Sequence, residues 1–170
     1  MMSLVETDRG DQLSDLYREN YRSLVRLAAL LLDDVSAAEE VVQDAFVQLH
    51  HSWSRVGDAS KRPAYLRSIV MNGARSRARR RATGRRLEVV PSSRDDVSAE
   101  ASALQHEDRR QMLTALRALP DRQRECLVLR YYLDLSEAEI AATLGISAGS
   151  VKTHTHRGIA ALERALESTR

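Results

Sequence analysis

Very little in this sequence interrupts a helix. Among 170 residues there are 7 glycines and 3 prolines, and Pro63, Pro91 and Pro120 stand where helices would begin or inside a polar stretch. Glycine and proline are the residues a helix interior tolerates least. Their scarcity, beside abundant Ala, Leu, Arg and Glu, predicts an all-α chain. Aromatics make up 4%, which leaves aliphatic cores of modest size, in one domain or two small ones. A single cysteine excludes an internal disulfide framework. It sits in the apolar run Cys126-Leu127-Val128-Leu129, where packing accounts for it better than redox chemistry. No apolar run approaches the roughly 20 residues needed to cross a bilayer, and no signal-peptide core opens the chain. A cytoplasmic protein without membrane insertion is expected.

The net charge of +2 excludes a basic polyelectrolyte, so what informs is where the charges lie. From Arg75 to Arg86 the chain carries Arg75, Arg77, Arg79, Arg80, Arg81, Arg85 and Arg86 and no acid. Acids gather instead at Glu39, Glu40 and Asp44, and again at Asp95, Asp96 and Glu100. That segregation implies one nucleic-acid face and a separate face for another partner.

The most specific pattern is Leu135 to Leu162, LSEAEIAATLGISAGSVKTHTHRGIAAL, which has the layout of a helix-turn-helix. Ser136 and Glu139 have capping-box spacing. Ile140, Ala141 and Leu144 give the first helix an apolar face, and Gly145 supplies the left-handed residue that ends it. Ile146 plugs the turn. Ser147 caps a second helix whose buried positions would be Val151, Thr155 or His154, Ile159 and Leu162. Its other face carries Ser150, Lys152, Thr153, His156 and Arg157, side chains that hold phosphates and read base edges.

Elsewhere the periodicity predicts further helices. Residues 1–10 read as a disordered tail. Asp11 to Leu32 repeats Leu13, Leu16, Tyr17, Leu24, Leu27, Ala28 and Leu31 at helical spacing. Asp33 to Ser36 makes a turn and cap, and a second helix runs from about Ala37 to Trp53 with Val41, Val42, Ala45, Phe46 and Leu49 on one face. A polar loop follows. Pro63 opens a third helix, to about Arg81, on which Leu66, Ile69, Val70 and Ala74 look inward. Composition then shifts to Gly, Pro, Ser and acids without apolar period, a flexible linker. Leu104 to Leu119 and Arg122 to Leu133 are two more helices, the latter packing Cys126, Leu127, Leu129 and Tyr131. The expectation is therefore two small helical domains, 11–82 and 104–170, joined by a flexible linker over 83–103, the second containing the helix-turn-helix.

Three segments in this order narrow the choice: AAEEVVQDAFVQLH (Ala37 to His50), PAYLRSIVMNGARSRARRR (Pro63 to Arg81) and LPDRQRECLVLRYYLDLSEAEIAATLGISAGSVKTHTHR (Leu119 to Arg157). Together they resemble the small two-domain bacterial sigma factors of the extracytoplasmic-function (ECF) group, relatives of the sigma-70 class, over nearly everything from Asp11 to Leu166. The resemblance implies a dissociable promoter-specificity subunit of RNA polymerase. Its first segment looks like the helix that docks on the clamp helices of the largest polymerase subunit, with Glu39, Glu40, Gln43, Asp44 and Phe46 as contacts. The second is similar to the promoter −10 recognition and melting segment, implying Lys61, Arg62, Arg67, Asn72, Arg75 and Arg79. The loop before it would receive a base flipped from the non-template strand. The third looks like the −35-binding domain, with Ser150, Lys152, Thr153, His156 and Arg157 on the DNA. The flap of the second-largest subunit, and for many members an anti-sigma factor, complete the implied partners. The linker would thread near the RNA exit path, its acids imitating nucleic acid. Three positions depart from the pattern: Ser76 stands near a usual acid, and His154 and Thr155 replace the more usual arginine and larger aliphatic residue.

An enzyme is not expected. His50-His51 and His154-x-His156 lack metal-ligand spacing with a third ligand, and no Cys-x-x-Cys, phosphate-cradling glycine loop or nucleophile–base pair is present. No cofactor follows from the sequence. The rival reading is a helix-turn-helix regulator of the response-regulator type that binds duplex DNA without polymerase. That class needs a receiver, ligand or dimerisation domain, which the all-helical first half does not supply.

Overall fold

Helix boundaries follow local capping chemistry in the computed structural model, which describes residues 2–84 and 103–168, with side chains from 8 to 84 and 106 to 168. The helices are α1 (Met2–Leu32), α2 (Val35–His51), α3 (Arg62–Gly84), α4 (Ala103–Arg117), α5 (Asp121–Tyr131), α6 (Glu137–Leu144) and α7 (Ala148–Glu167), with a 3-10 turn, Ala59–Lys61, before α3. They divide into two units, Met1–Leu87 and Glu88–Arg170. Most of the expected linker, from 85 to 102, lies outside the described residues, and with it Arg85, Arg86, Asp95, Asp96 and Glu100. Among the described residues no helix is long and apolar enough to cross a membrane.

In the first unit α1, α2 and α3 each pack on the other two. Leu24, Leu27 and Ala28 of α1, Val42, Ala45 and Leu49 of α2, and Leu66, Val70 and Met71 of α3 form its buried core. The α1–α2 corner turns on Asp33, whose φ of 55° is left-handed. Within that turn Asp34 caps α2, accepting from the Ala37 amide at 2.9 Å. Gly73 lies where α3 closely approaches α2: a Cβ there would stand 3.0 Å from Val41 Cγ1, so Val41 would have to give way slightly. The disordered tail expected over 1–10 is instead the start of α1, which begins at Met2. A long-range contact favours that extension: Arg9 donates to the His50 carbonyl at the end of α2.

In the second unit α7 packs on α4, α5 and α6. Ala115, Leu119, Cys126, Leu127, Leu129, Ile140, Leu144 and Val151 are buried there. The Cys126 thiol is fully enclosed, and burial, with the nearby Glu125 carboxylate, pushes its pKa up to about 11. A thiol held protonated is a packing group, not a nucleophile. Tyr131, expected inside, is 67% exposed. It is the last residue of an 11-residue helix, and Val128, three positions earlier, takes the buried place.

Candidate nucleic-acid interface

The helix-turn-helix is built as its residue types require. Ser136 accepts from the Glu139 amide while Glu139 Oε2 accepts from the Ser136 amide at 2.8 Å, a closed capping box on α6. Gly145 ends α6 at φ 66°, and the Ile146 amide returns to the Ala141 carbonyl at 3.1 Å. Ser147 then caps α7, accepting from the Ser150 amide at 3.0 Å. The first turn of α7 carries no acid, so the positive end of the helix dipole is left for an anion.

Val151 is fully buried and fixes the rotation of α7. That rotation exposes Lys152, Thr153, His156 and Arg157, in two rows of i and i+4 neighbours on one face. Thr153 donates to the Gly149 carbonyl at 3.0 Å, which leaves its oxygen to accept. Ser150 is half-buried and engages the Ser147 hydroxyl at 2.8 Å, so it belongs to the cap as much as to the face. Of the other positions expected to be buried, His154, Thr155, Ile159 and Leu162 are half-buried, and Gly158 is the buried residue beside Val151. The face runs on into an open groove of about 500 Å³ between α7 and the start of α5, rimmed by His156, Arg157 and Arg164.

On the first unit α3 sorts its arginines by face. Arg77 pairs with Glu40 at 2.5 Å. Arg81 pairs with Asp34 and also donates to the Leu32 carbonyl at 3.1 Å. These two, one helical turn apart, tie α3 to α2 and to the end of α1. The opposite positions, Asn72, Arg75 and Arg79, are spaced by 3 and 4 along the chain, with Asn72 and Arg79 exposed and Arg75 half-buried. Arg75 Nη1 lies 3.5 Å from Asn72 Oδ1. Arg67 is half-buried on the same helix, while Lys61 is exposed and faces Asp58 at 3.7 Å. Arg62 differs from its group: its guanidinium lies 3.8 Å over the Trp53 ring and donates to Gln12 Oε1 at 2.6 Å.

The acidic set on α2 is also divided. Glu39, Gln43 and Asp44 are exposed, whereas Glu40 is exposed but held by Arg77. Phe46, expected among the polymerase contacts, is 7% exposed with its ring 4.9 Å from that of Tyr17, so it packs in the α1–α2 interface. Val47, 55% exposed beside Gln43 and Asp44, is the apolar group on the outer face. Its spacing from those residues was the available signal. Tyr17, stacked on Tyr21 at 4.6 Å, borders this face, and burial together with Tyr21 and Glu39 raises its phenol pKa. Among the described residues no group of His, Cys, Asp and Glu could hold a metal ion.

Residues 16–83 match the family pattern described as Sigma-70 region 2, and residues 109–162 match Sigma-70, region 4. The chain is 35% identical over 158 residues to an RNA polymerase sigma-E factor of Streptomyces avermitilis, covering 92% of this chain and 86% of that one. It is 27% identical over 177 residues to the ECF RNA polymerase sigma factor SigW of Bacillus subtilis, covering 95% and 93%. The chain belongs to the ECF group of the sigma-70 family. An ECF sigma factor directs core RNA polymerase to specific promoters and starts transcription there. The fold agrees: the sigma factor RpoE of Bartonella quintana, solved in complex with the anti-sigma factor NepR, superposes with a TM-score of 0.73 at 24% identity, covering 92% of this chain and 99% of that one. The independent-regulator reading is not favoured, because the first unit matches region 2 of a sigma factor.

Proposed function

We propose that this sigma factor divides its work between its units as follows. Residues 11–82 dock on core polymerase and open the −10 element, 83–103 form the tether, and 104–170 bind the −35 element. The factor catalyses nothing itself, works in the cytoplasm, and leaves RNA synthesis to the core enzyme. On α7, Lys152, Thr153, His156 and Arg157 enter the major groove, and Ser150 with the acid-free positive end of the helix meets a phosphate. On α3, Asn72, Arg75 and Arg79, with Arg67 and Lys61, grip the −10 strand. On α2, Glu39, Gln43 and Asp44 meet a basic surface of the polymerase clamp, with Val47 as the apolar anchor and Glu40 in support. The flap of the second-largest subunit is the natural partner of the second unit. An anti-sigma factor, as in the RpoE–NepR complex, would compete for these surfaces.

The observation that carries this reading is the sorting of charge on α2 and α3. Arg77 and Arg81 neutralise Glu40 and Asp34 at the helix contact, which leaves an acidic outer face on one helix and a basic one on the other. One protein surface cannot present both to DNA. Reversing Glu39 and Asp44 to Lys should abolish association with core polymerase. Replacing Arg75 and Arg79 with Ala should instead keep that association and lose promoter opening. If both pairs impair the same step, the division is wrong.

A further inference from the structure

The turn between α2 and α3 is closed by a contact that neither helix explains. Trp53, just past the end of α2, is 7% exposed, and Arg62, the first residue of α3, lies with its guanidinium 3.8 Å over the indole. The same guanidinium donates to Gln12 Oε1 at 2.6 Å, fifty positions away on α1. Its Nε is buried with no hydrogen-bond partner, as a group laid flat on a ring would be. Nearby on α1, Arg9 donates to the His50 carbonyl. Between Trp53 and Arg62 the chain orders itself: the Arg55 amide donates to the Ser52 carbonyl at 2.9 Å, and Asp58 accepts from the Ser60 amide at 3.0 Å. An ordered loop whose two ends are clasped and tied to α1 presents Lys61 from a fixed frame.

We propose that Arg62 is a positioning residue and not a phosphate contact: stacked on Trp53 and bonded to Gln12, it locks the 54–61 loop to α1 so that Lys61 and the loop receive the promoter strand in one geometry. Stacking face-on spends the cation on the ring quadrupole. A phosphate contact would need the fork that Gln12 already occupies in part. The proposal rests on the reading in which this loop and Lys61 meet the −10 strand.

The test uses holoenzyme reconstituted from the full chain and core polymerase. Arg62→Ala should slow open-complex formation at saturating holoenzyme by about tenfold, the order expected for losing a desolvated cation–π contact. Gln12→Leu, a change on an exposed residue of α1, should slow it in the same direction. Neither should alter core affinity or the salt slope of promoter binding. Trp53 is the only tryptophan in the chain, so its emission in the free protein reports the stack and should shift in Arg62→Ala. A salt slope smaller by about one unit in Arg62→Ala, with Gln12→Leu silent, would mark Arg62 as a phosphate contact and overturn the proposal. Unchanged opening in spite of a lower melting temperature would overturn it too. Should Arg62→Ala not fold, Arg62→Lys replaces it: full activity in that variant contradicts the need for a planar guanidinium, and a partial loss supports it. A wild-type holoenzyme that opens no promoter sinks the reading beneath the proposal. A wild type that opens while Gln12→Leu matches it sinks the proposal alone.

Discussion

Gly158 of α7 lies so close to Leu127 of α5 that a Cβ on it would stand 2.9 Å from Leu127 Cδ1 and 3.1 Å from Cγ. Helix α7 is thus seated by a missing side chain. Gly158→Ala sets two effects against each other: a helix-propensity gain of up to about 1 kcal/mol, and overpacking that costs about 1–3 kcal/mol. Leu127 is buried at 3% exposure and has little room to move, so the cost wins. Thermal unfolding followed by circular dichroism should show a lower melting temperature, and Leu127→Val in the same chain should recover part of it.

Arg157 is exposed on the face opposite Val151 and is expected to contact DNA. Arg157→Ala should weaken −35-dependent initiation and, if the contact is to phosphate, reduce the salt slope of binding by about one unit. Binding to core polymerase should stay as it was. Titrating promoter binding across salt concentrations checks both parts, and unaltered promoter output would remove Arg157 from the interface.

Phe46 and Val47 are adjacent and have opposite exposure. Phe46→Ala should therefore destabilise the first unit by about 3–5 kcal/mol, as truncating a buried aromatic does. Val47→Asp should leave the unfolding midpoint nearly unchanged and lower affinity for core polymerase by about tenfold, the loss of one apolar anchor. Urea unfolding and a core-binding titration on both variants separate the roles. The opposite pattern would return Phe46 to the docking face.

Asp34 caps α2 and pairs with Arg81, and the Ala37 amide, followed by Arg81, holds its carboxyl below the usual range. A carboxyl with a depressed folded pKa adds stability above its unfolded pKa, near 3.9. That stability is lost as pH falls through the folded value. Asp34→Ala should thus cost about 1 kcal/mol or more at pH 7. The gap to wild type should close progressively below about pH 4. A gap independent of pH would show that the carboxylate charge contributes nothing.

Much of this molecule was legible because its determinants are local. Ser136, Glu139, Gly145 and Ser147 act within a few residues of themselves, so caps and turn could be placed from spacing alone. The face of α7 followed from Val151. What escaped the sequence depends on distant partners. Arg62 looks like any other arginine until Trp53 and Gln12 are beside it, and Arg77 and Arg81 join the basic run until Glu40 and Asp34 take them out of it. Phe46 could equally be core or anchor on periodicity, and its packing against Tyr17 is visible only in the fold. Tyr131 fits the apolar period of α5 but falls at its last residue, beyond the core. Residues 2–10 carry too weak a pattern to announce a helix, and Arg9 reaching His50 favours one.

The most direct test of the central claim is transcription in vitro by purified core polymerase and this protein on a library of random promoter sequences, read out by mapping RNA 5′ ends. The account predicts start sites that share an upstream and a −10 element and that vanish when either the α7 face or the α3 face is neutralised. Transcripts without defined starts, or a protein that binds duplex DNA tightly by itself and never joins the core enzyme, would contradict it.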